Sequence, residues 1–310
     1  MGFATGPSTL RTAELYDTEE GTPLVIFTFL KLKNNLTMVQ CSGGGMKMSK
    51  LLFFDIDGTL IECNLDIYSI TENTRNALDR LKENGHDVFL ATGRCKCFIT
   101  EGVMNYPFSG YVTCNGAYVE YHGEPVYKAI IPSEAIKATM ALSEQYDFNY
   151  YFESSDYIYV RDQNDERHQW FAKNWGMKPE TVIDDFDPET IETYIGMIVV
   201  NDKKDISPMV NALSKYFDVQ RHQSDYSFDL TLKGVSKAVG IEKLVERINR
   251  NIDDTIAFGD GRNDIEMLET VKIGVAMGNA VDEAKAVANY ETDRIENDGI
   301  VKALKHFELI

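Results

Sequence analysis

No stretch of the 310 residues approaches the roughly twenty consecutive apolar residues that a membrane-spanning helix requires. The most apolar segment near the start, residues 23–32, is far too short. Basic charge is scarce as well: 31 lysines and arginines face 49 aspartates and glutamates, a formal net charge of −18. A field of that sign repels nucleic acid and anionic membranes, so neither is an expected partner. It still admits a phosphorylated small molecule, provided a cation neutralises the site locally. The five cysteines (Cys41, Cys63, Cys95, Cys97 and Cys114) contain no Cys-x-x-Cys pair. That spacing gives no footing for a zinc site or a disulfide framework and points to a reducing compartment. Cys95-x-Cys97 reads as ordinary small residues rather than a redox pair. Met1-Gly2 is not followed by the basic region of a secretion signal, and Gly6 stands where a myristoylation signal has Ser or Thr. A cytoplasmic protein is therefore expected. Repeats are absent too.

What is present is ordinary for a soluble enzyme: 44% hydrophobic and 26% charged residues, in a length comfortable for two cores. Residues 1–47 show no clear helical or strand period and close on the linker-like Ser42-Gly43-Gly44-Gly45. They read as a leader outside the fold, from an upstream start or non-native, with a docking extension as the alternative. The strongest local signal follows. Leu51 to Phe54 is an uninterrupted apolar run, suited to a strand buried on both faces of a parallel sheet. It runs into Asp55-Ile56-Asp57-Gly58-Thr59. A strand repeats every two residues, so Asp55 and Asp57 start on one side, and Gly58 lets the chain turn closely past whatever they bind. Alone, the same letters would also describe a solvated Asp-Gly turn.

A helix over residues 72–84 capped by Thr71 and stopped by Gly85 precedes a second buried strand, 87–91, ending in Thr92-Gly93-Arg94. After a helical stretch comes a third strand, 110–114, and Asn115-Gly116 signals a hairpin into a return strand, 117–122. Strand–helix alternation with short links predicts a parallel sheet with right-handed crossovers. Near Pro132 the rhythm changes to helices (133–146, 165–175, 207–216) mixed with strands (149–153, 157–160, 194–200, 218–221, 226–230), an α+β module. From Ser236 the first rhythm resumes, with helices 237–249, 264–269 and 281–288, strands 255–258 and 272–276, and a last helix from about Asn297. The expected architecture is an α/β, doubly wound (Rossmann-like) parallel-sheet core in two parts, 48–131 and 231–310, interrupted by an inserted α+β module over 132–230.

Thr92, Lys237 and the group Asp260, Asn263 and Asp264 all fall where a doubly wound sheet keeps its site, at the carboxyl ends of strands. Carboxylates, a hydroxyl, an amide and one ammonium suit a hard cation such as Mg²⁺ holding a phosphate. Taken singly, Thr92 could cap a helix, Lys237 could be a surface lysine and Asp264 an N-cap. Arg94 could reach a substrate or pair with an acid. The aromatic residues of the insert (Tyr150, Tyr151, Tyr157, Tyr159, Trp170, Phe171, Trp175 and Tyr226, with His168) read mostly as packing.

Together, Asp55-Ile-Asp57-Gly-Thr-Leu, Ala91-Thr92-Gly93-Arg94, Lys233-Gly-Val-Ser-Lys237 and Gly259-Asp-Gly-Arg-Asn-Asp-Ile-Glu-Met-Leu268 resemble, in order, the four motifs of the haloacid dehalogenase superfamily, closest to its Cof-type phosphatase branch. The resemblance covers Met48 to the C-terminus. It departs at Ala238, where the branch usually has Gly, and Arg262 occupies a variable slot. It implies a Mg²⁺-dependent phosphatase of small phosphorylated metabolites, sugar phosphates or a phosphorylated cofactor. Asp55 would be the nucleophile and Asp57 the general acid and base. Asp55, the Asp57 carbonyl, Asp260 and Asp264 would serve the metal, while Thr92, Gly93, Lys237 and Asn263 would bind phosphate or substrate. The insert would be an α/β (C2B-type) cap selecting the leaving group. A phosphomutase of the same superfamily and a non-catalytic phosphometabolite sensor are the alternatives. A P-type transport ATPase is excluded for want of membrane spans and of an acid two residues after its nucleophile.

Overall fold

The computed structural model describes residues 26–32, 35–41, 49–175, 177–200, 206–222 and 227–310. The Ser42–Gly45 stretch and Tyr226 lie outside them, as do the side chains of Phe171 and Trp175. The chain divides into two units, Met1–Met48 and Ser49–Ile310. In the first, β1 (Ile26–Leu32) pairs antiparallel with β2 (Asn35–Cys41), Ile26 opposite Cys41 and Leu32 opposite Asn35. Sequence reading found no strand period there. The segment Ile-Phe-Thr-Phe-Leu is nevertheless rich in β-branched and aromatic residues, which favour extended backbone.

The second unit opens on β3 (Leu51–Phe54), α1 (Glu72–Glu83), β4 (Asp87–Ala91), α2 (Glu101–Met104), β5 (Gly110–Thr113), β6 (Tyr118–Tyr121) and β7 (Glu124–Lys128). An insert follows: α3 (Ser133–Tyr146), β8 (Phe148–Glu153), β9 (Ile158–Val160), α4 (Glu166–Trp175), β10 (Val182–Ile183), β11 (Ile195–Val200), α5 (Ser207–Leu213), β12 (Phe217–Arg221) and β13 (Ser227–Leu232). The chain then returns through α6 (Lys237–Arg247), β14 (Thr255–Gly259), α7 (Ile265–Thr270), β15 (Ile273–Ala276), α8 (Asp282–Val287), β16 (Tyr290–Glu291) and α9 (Gly299–His306).

The core is one eight-stranded sheet in the order β16-β15-β14-β3-β4-β5-β6-β7. Its first five neighbouring pairs are parallel and the last two antiparallel. β3 sits at its middle because Leu51 to Phe54 are all fully buried, apolar on both faces. Leu52 and Phe54 pack toward α1 and α9 with Leu78, Leu81 and Leu304; Leu51 and Phe53 pack toward α6 and α7 with Ile241, Leu244 and Met267. Phe53 stacks on Phe89 and Phe54 on Phe258, with centroids 4.9 and 4.7 Å apart. Each such ring contributes roughly 1.5–3 kcal/mol by burial. Strand order runs outward in opposite directions from β3 and β14, so the crevice at their carboxyl ends is the switch point of the sheet.

Besides β1 and β2, three strands escaped sequence reading. β10 and β16 are two residues long, and β7 is a half-exposed edge strand carrying Pro125, which an edge tolerates and a central strand does not. Thr71 caps α1 through its side chain and Gly85, at φ +82°, follows it, as expected.

The insert is a six-stranded sheet in the order β10-β9-β8-β11-β13-β12, antiparallel except for the β9–β10 pair. One face packs Phe148, Phe152, Ile198 and Leu230 with residues of α3 and α5. The other carries Tyr151, Ile158, Val160 and Met197, against which Cys97 and Phe98 of the core rest. Tyr150, Tyr151 and His168 are buried packing, as expected, whereas Tyr157 and Trp170 are exposed. Cys95 and Cys97 are free thiols with sulfurs 3.0 Å apart.

Glu153, at the end of β8, is buried beside Cys95, and burial pushes its carboxyl up to about 8 despite that contact. In the unfolded chain the group ionises near 4.5. Between those values the folded chain keeps a proton that the unfolded chain has released, so stability falls as pH rises through the window. Glu153→Gln is expected to flatten the decline in Tm between about pH 5 and 8. Thermal unfolding across a pH series checks this, and a variant retaining the wild-type slope would remove Glu153 as its source.

Candidate active site

Asp55 directly follows β3, and its amide donates to the carbonyl of Phe258 on β14 (3.0 Å), extending the ladder by one residue. The chain then turns. Gly58 adopts φ +80°, and a Cβ there would lie 2.1 Å from Oδ2 of Asp260. Conformation and space both require glycine. The turn brings Thr59 under Asp260, where its buried hydroxyl donates to Oδ1 (3.3 Å).

Lys237 is the first residue of α6, whose N-cap Ser236 accepts from the amide of Val239. The residue is 1% exposed, and its ammonium sits 2.6 Å from Oδ1 of Asp55 and 2.6 Å from Oδ1 of Asp264. The other Asp264 oxygen accepts from the amides of Asp260 and Gly261, both at 2.9 Å. Asp264 is thus saturated and fixes the loop after β14.

Oxygens of Asp55, Asp260 and Asp264 lie within 4.8 Å of one another. Three carboxylates therefore face one ammonium in a largely buried space. Burial pushes the Asp55 carboxyl well above the usual range, Lys237 opposes the shift, and Asp264, Asp260 and Asp57 add to it. Asp260 is pushed up to about 7, first by burial and then by Asp264. Burial disfavours the charge on Lys237, but Asp264 and Asp55 outweigh it and hold the ammonium above its ordinary value. The cluster is electrically incomplete. Its all-oxygen donor set and surplus negative charge fit a hard divalent cation.

Asp57 departs from expectation. Period two starts it on the side of Asp55, but β3 ends at Phe54, and Asp57 is exposed where Asp55 is buried. Its two oxygens accept from Nη2 (2.6 Å) and Nε (2.8 Å) of Arg94. Arg94, which the sequence left between substrate and acid, thus pairs with an acid, and its Nη1 donates to the carbonyl of Phe98 (3.1 Å).

Thr92, buried at the end of β4, accepts the amide of Arg94 on its hydroxyl (3.1 Å). Gly93 is close-set, since a Cβ there would lie 3.0 Å from Oδ1 of Asn115 and 3.5 Å from Nδ2 of Asn263. Asn263 donates to that Asn115 oxygen (3.1 Å).

Two of these groups went unread. Asn115 was taken only as a turn residue; it does turn the chain, at φ 51°, and its amide also reaches Asn263 and Thr231. Asn279 donates to the Gly58 carbonyl (2.8 Å) and to Asp260 (3.3 Å), and its buried Oδ1 has no hydrogen-bond partner among the described residues. Nothing local in Gly278-Asn279 signals that reach.

Two cavities, of ≈ 340 and ≈ 390 Å³, lie beside His168 in the insert and around Lys96, Glu120 and Tyr194. Neither includes the carboxylate cluster, so charge and geometry rather than volume locate the site.

A family model described as haloacid dehalogenase-like hydrolase matches residues 52–304. The chain belongs to that family. It is a phosphatase of the Cof-type branch, with the fold its motifs imply. It is 33% identical over 266 residues to the "Putative phosphatase YkrA" of Bacillus subtilis, covering 84% of this chain and 99% of that protein. The 5-amino-6-(5-phospho-D-ribitylamino)uracil phosphatase YitU of the same organism is 29% identical over 270 residues, covering 83% and 97%. A solved subclass IIB sugar phosphatase of the superfamily superposes with TM-score 0.72 at 32% identity, covering 84% of this chain and all of that one. No helix among the described residues is long and apolar enough to cross a membrane.

Replacing Lys237 by Met leaves Asp55 and Asp264 buried without their shared cation. The expected cost is about 3–5 kcal/mol of folding stability, read by urea unfolding in the presence of a chelator. A loss under about 1 kcal/mol would mean that the pair is solvated rather than buried.

Proposed function

We propose that this phosphatase hydrolyses small phosphorylated metabolites, sugar phosphates or a phosphorylated cofactor, with Mg²⁺ and through an aspartyl-phosphate on Asp55. The observation that carries the reading is the buried cluster of Asp55, Asp260 and Asp264 around a single ammonium at the switch point of the sheet. Asp55 and Asp260 would hold the cation together with the Asp57 carbonyl, Asp264 supporting them. Bound there, the cation neutralises the phosphoryl oxygens.

An Asp55 carboxylate oxygen attacks phosphorus while the bond from phosphorus to the leaving oxygen breaks. The leaving alkoxide takes a proton from Asp57. Water then attacks the aspartyl-phosphate and gives its proton to Asp57; the bond to Asp55 breaks and inorganic phosphate departs. Lys237 orients the nucleophile through Oδ1. Thr92, Gly93 and Asn263 flank the same crevice and would bind the phosphoryl oxygens, largely by positioning.

Both oxygens of Asp57 are engaged by Arg94. Proton delivery to a leaving group therefore requires that ion pair to open, which binding of substrate between them would do. The insert, resting on Cys97 and Phe98 beside this pair, would act as the cap that excludes water. The free thiols Cys63, Cys95, Cys97 and Cys114 suit the cytoplasmic setting this reading assumes. The comparisons support the class of reaction, since the named relatives include phosphatases of a sugar phosphate and of a phosphoribitylamino compound.

Phosphate release from p-nitrophenyl phosphate, with Mg²⁺ and with EDTA, tests the reading. Turnover should require the cation and vanish in Asp55→Asn. Asp57→Asn should fall about 10²- to 10⁴-fold. Turnover that survives Asp55→Asn would refute the covalent route, and metabolite binding without turnover in the wild type would favour a sensor.

A further inference from the structure

The face of the insert sheet that meets the core is not uniformly apolar. Side chains alternate along a strand, so Ser227, Asp229 and Thr231 of β13 share one face, while Phe228 and Leu230 point into the insert's own core. Thr231 marks which face this is. Its hydroxyl accepts from Nδ2 of Asn115 (3.4 Å), whose Oδ1 in turn accepts from Asn263. Asp229 stands two residues back, about 7 Å along the same face. In register it lies opposite Met197, which lies opposite Tyr151. A molecule with its phosphoryl group at Asn263 and the carboxylate cluster would extend its other end toward Asp229, a span that a monosaccharide or short polyol fills.

Asp229 is held ready. Nε2 of His222 lies 2.9 Å from its Oδ1, and Nδ1 of the same ring lies 2.8 Å from the hydroxyl of Ser227. The Asp229 hydrogen bond holds the imidazole above its ordinary value against the effect of burial. The second Asp229 oxygen takes no hydrogen bond among the described residues, and the Asp229 side chain is 29% exposed. The described strand residues on this face include no lysine or arginine. Lys237, Arg94 and Lys96 are already paired, with Asp55 and Asp264, with Asp57 and with Glu120.

We propose that Asp229, fixed by His222, is the specificity-determining side chain of this phosphatase, accepting hydrogen bonds from the hydroxyl groups of an uncharged polyol or sugar leaving group. This rests on the phosphatase reading above. A leaving group bearing its own carboxylate would meet Asp229 with no free cation among the described strand residues of this face to offset the repulsion, so the same residue selects against it. Selection by a charged acceptor that a hydroxyl satisfies is stronger than selection by apolar shape, because an unmatched partner leaves that acceptor unpaired.

The test uses the full chain with Mg²⁺ and three kinds of substrate: sugar and alditol phosphates, the carboxylate-bearing phosphoglycolate and 3-phosphoglycerate, and p-nitrophenyl phosphate, which offers no hydroxyl. The wild type should favour the hydroxylated group over the carboxylated one. Asp229→Ala should lose roughly ten- to a hundred-fold in kcat/KM on hydroxylated substrates, mainly through KM, while keeping its rate on p-nitrophenyl phosphate. Asp229→Asn preserves shape, and should narrow the discrimination against carboxylated substrates. Equal losses on all three kinds, or a wild type that prefers carboxylated substrates, would overturn the assignment while leaving the phosphatase reading intact. A wild type inactive even on p-nitrophenyl phosphate would defeat both.

Discussion

A lysine ammonium buried away from solvent is the constraint from which the site follows. Lys237 can stay charged at 1% exposure only because Asp55 and Asp264 each stand 2.6 Å away. Those three side chains come from the end of β3, the loop after β14 and the start of α6, segments far apart in sequence. Their geometry is as good as the sheet that carries them. The adjoining strands are accordingly apolar on both faces, with Phe53 on Phe89 and Phe54 on Phe258 stacked across the pairings that set the register. A slip of one residue would turn Phe54 to the opposite face and carry Asp55 out of reach of Lys237.

The pair also explains why the rest of the cluster is unfinished. One ammonium cannot neutralise three carboxylates, and Asp264 is already saturated by Lys237 and two backbone amides. What remains uncompensated is on Asp55 and Asp260, the two carboxyl groups raised first by burial and then by neighbouring carboxylates, Asp264 foremost. Strain of this kind is useful where a cation must be captured, since ligand binding relieves a penalty already built into the fold. Asn279 and Thr59 hold the oxygens of Asp260 in place without adding charge.

The carboxylates and Lys237 were legible in the sequence because each sits at a strand end or a helix start whose apolar pattern is unmistakable. Asp57 was placed by a period of two, which applies only while the strand lasts, and β3 stops at Phe54, so its pairing with Arg94 was not legible. Asn115 was legible as a turn and not as a contact: αL geometry is a local property, whereas meeting Asn263 depends on where β14 lies. Asn279 had no local signature at all. Similarly, β7, β10 and β16 are edge or two-residue strands, where few side chains are buried and the alternation that marks a strand has little length in which to show.

Pairing between Asp57 and Arg94 connects the core chemistry to the insert. Arg94 is tied at one end to the catalytic candidate and at the other to the carbonyl of Phe98, and Phe98 packs on the insert sheet. Glu153 of that sheet is buried against Cys95, the residue that follows Arg94. Movement of the insert is therefore not mechanically independent of Asp57, the proposed proton donor. A leaving group seated under the insert would displace guanidinium from carboxylate and free Asp57 at the moment a proton is needed, whereas water alone, too small to hold the two apart, would leave them paired. Proton delivery would then depend on an occupied crevice, and so would specificity.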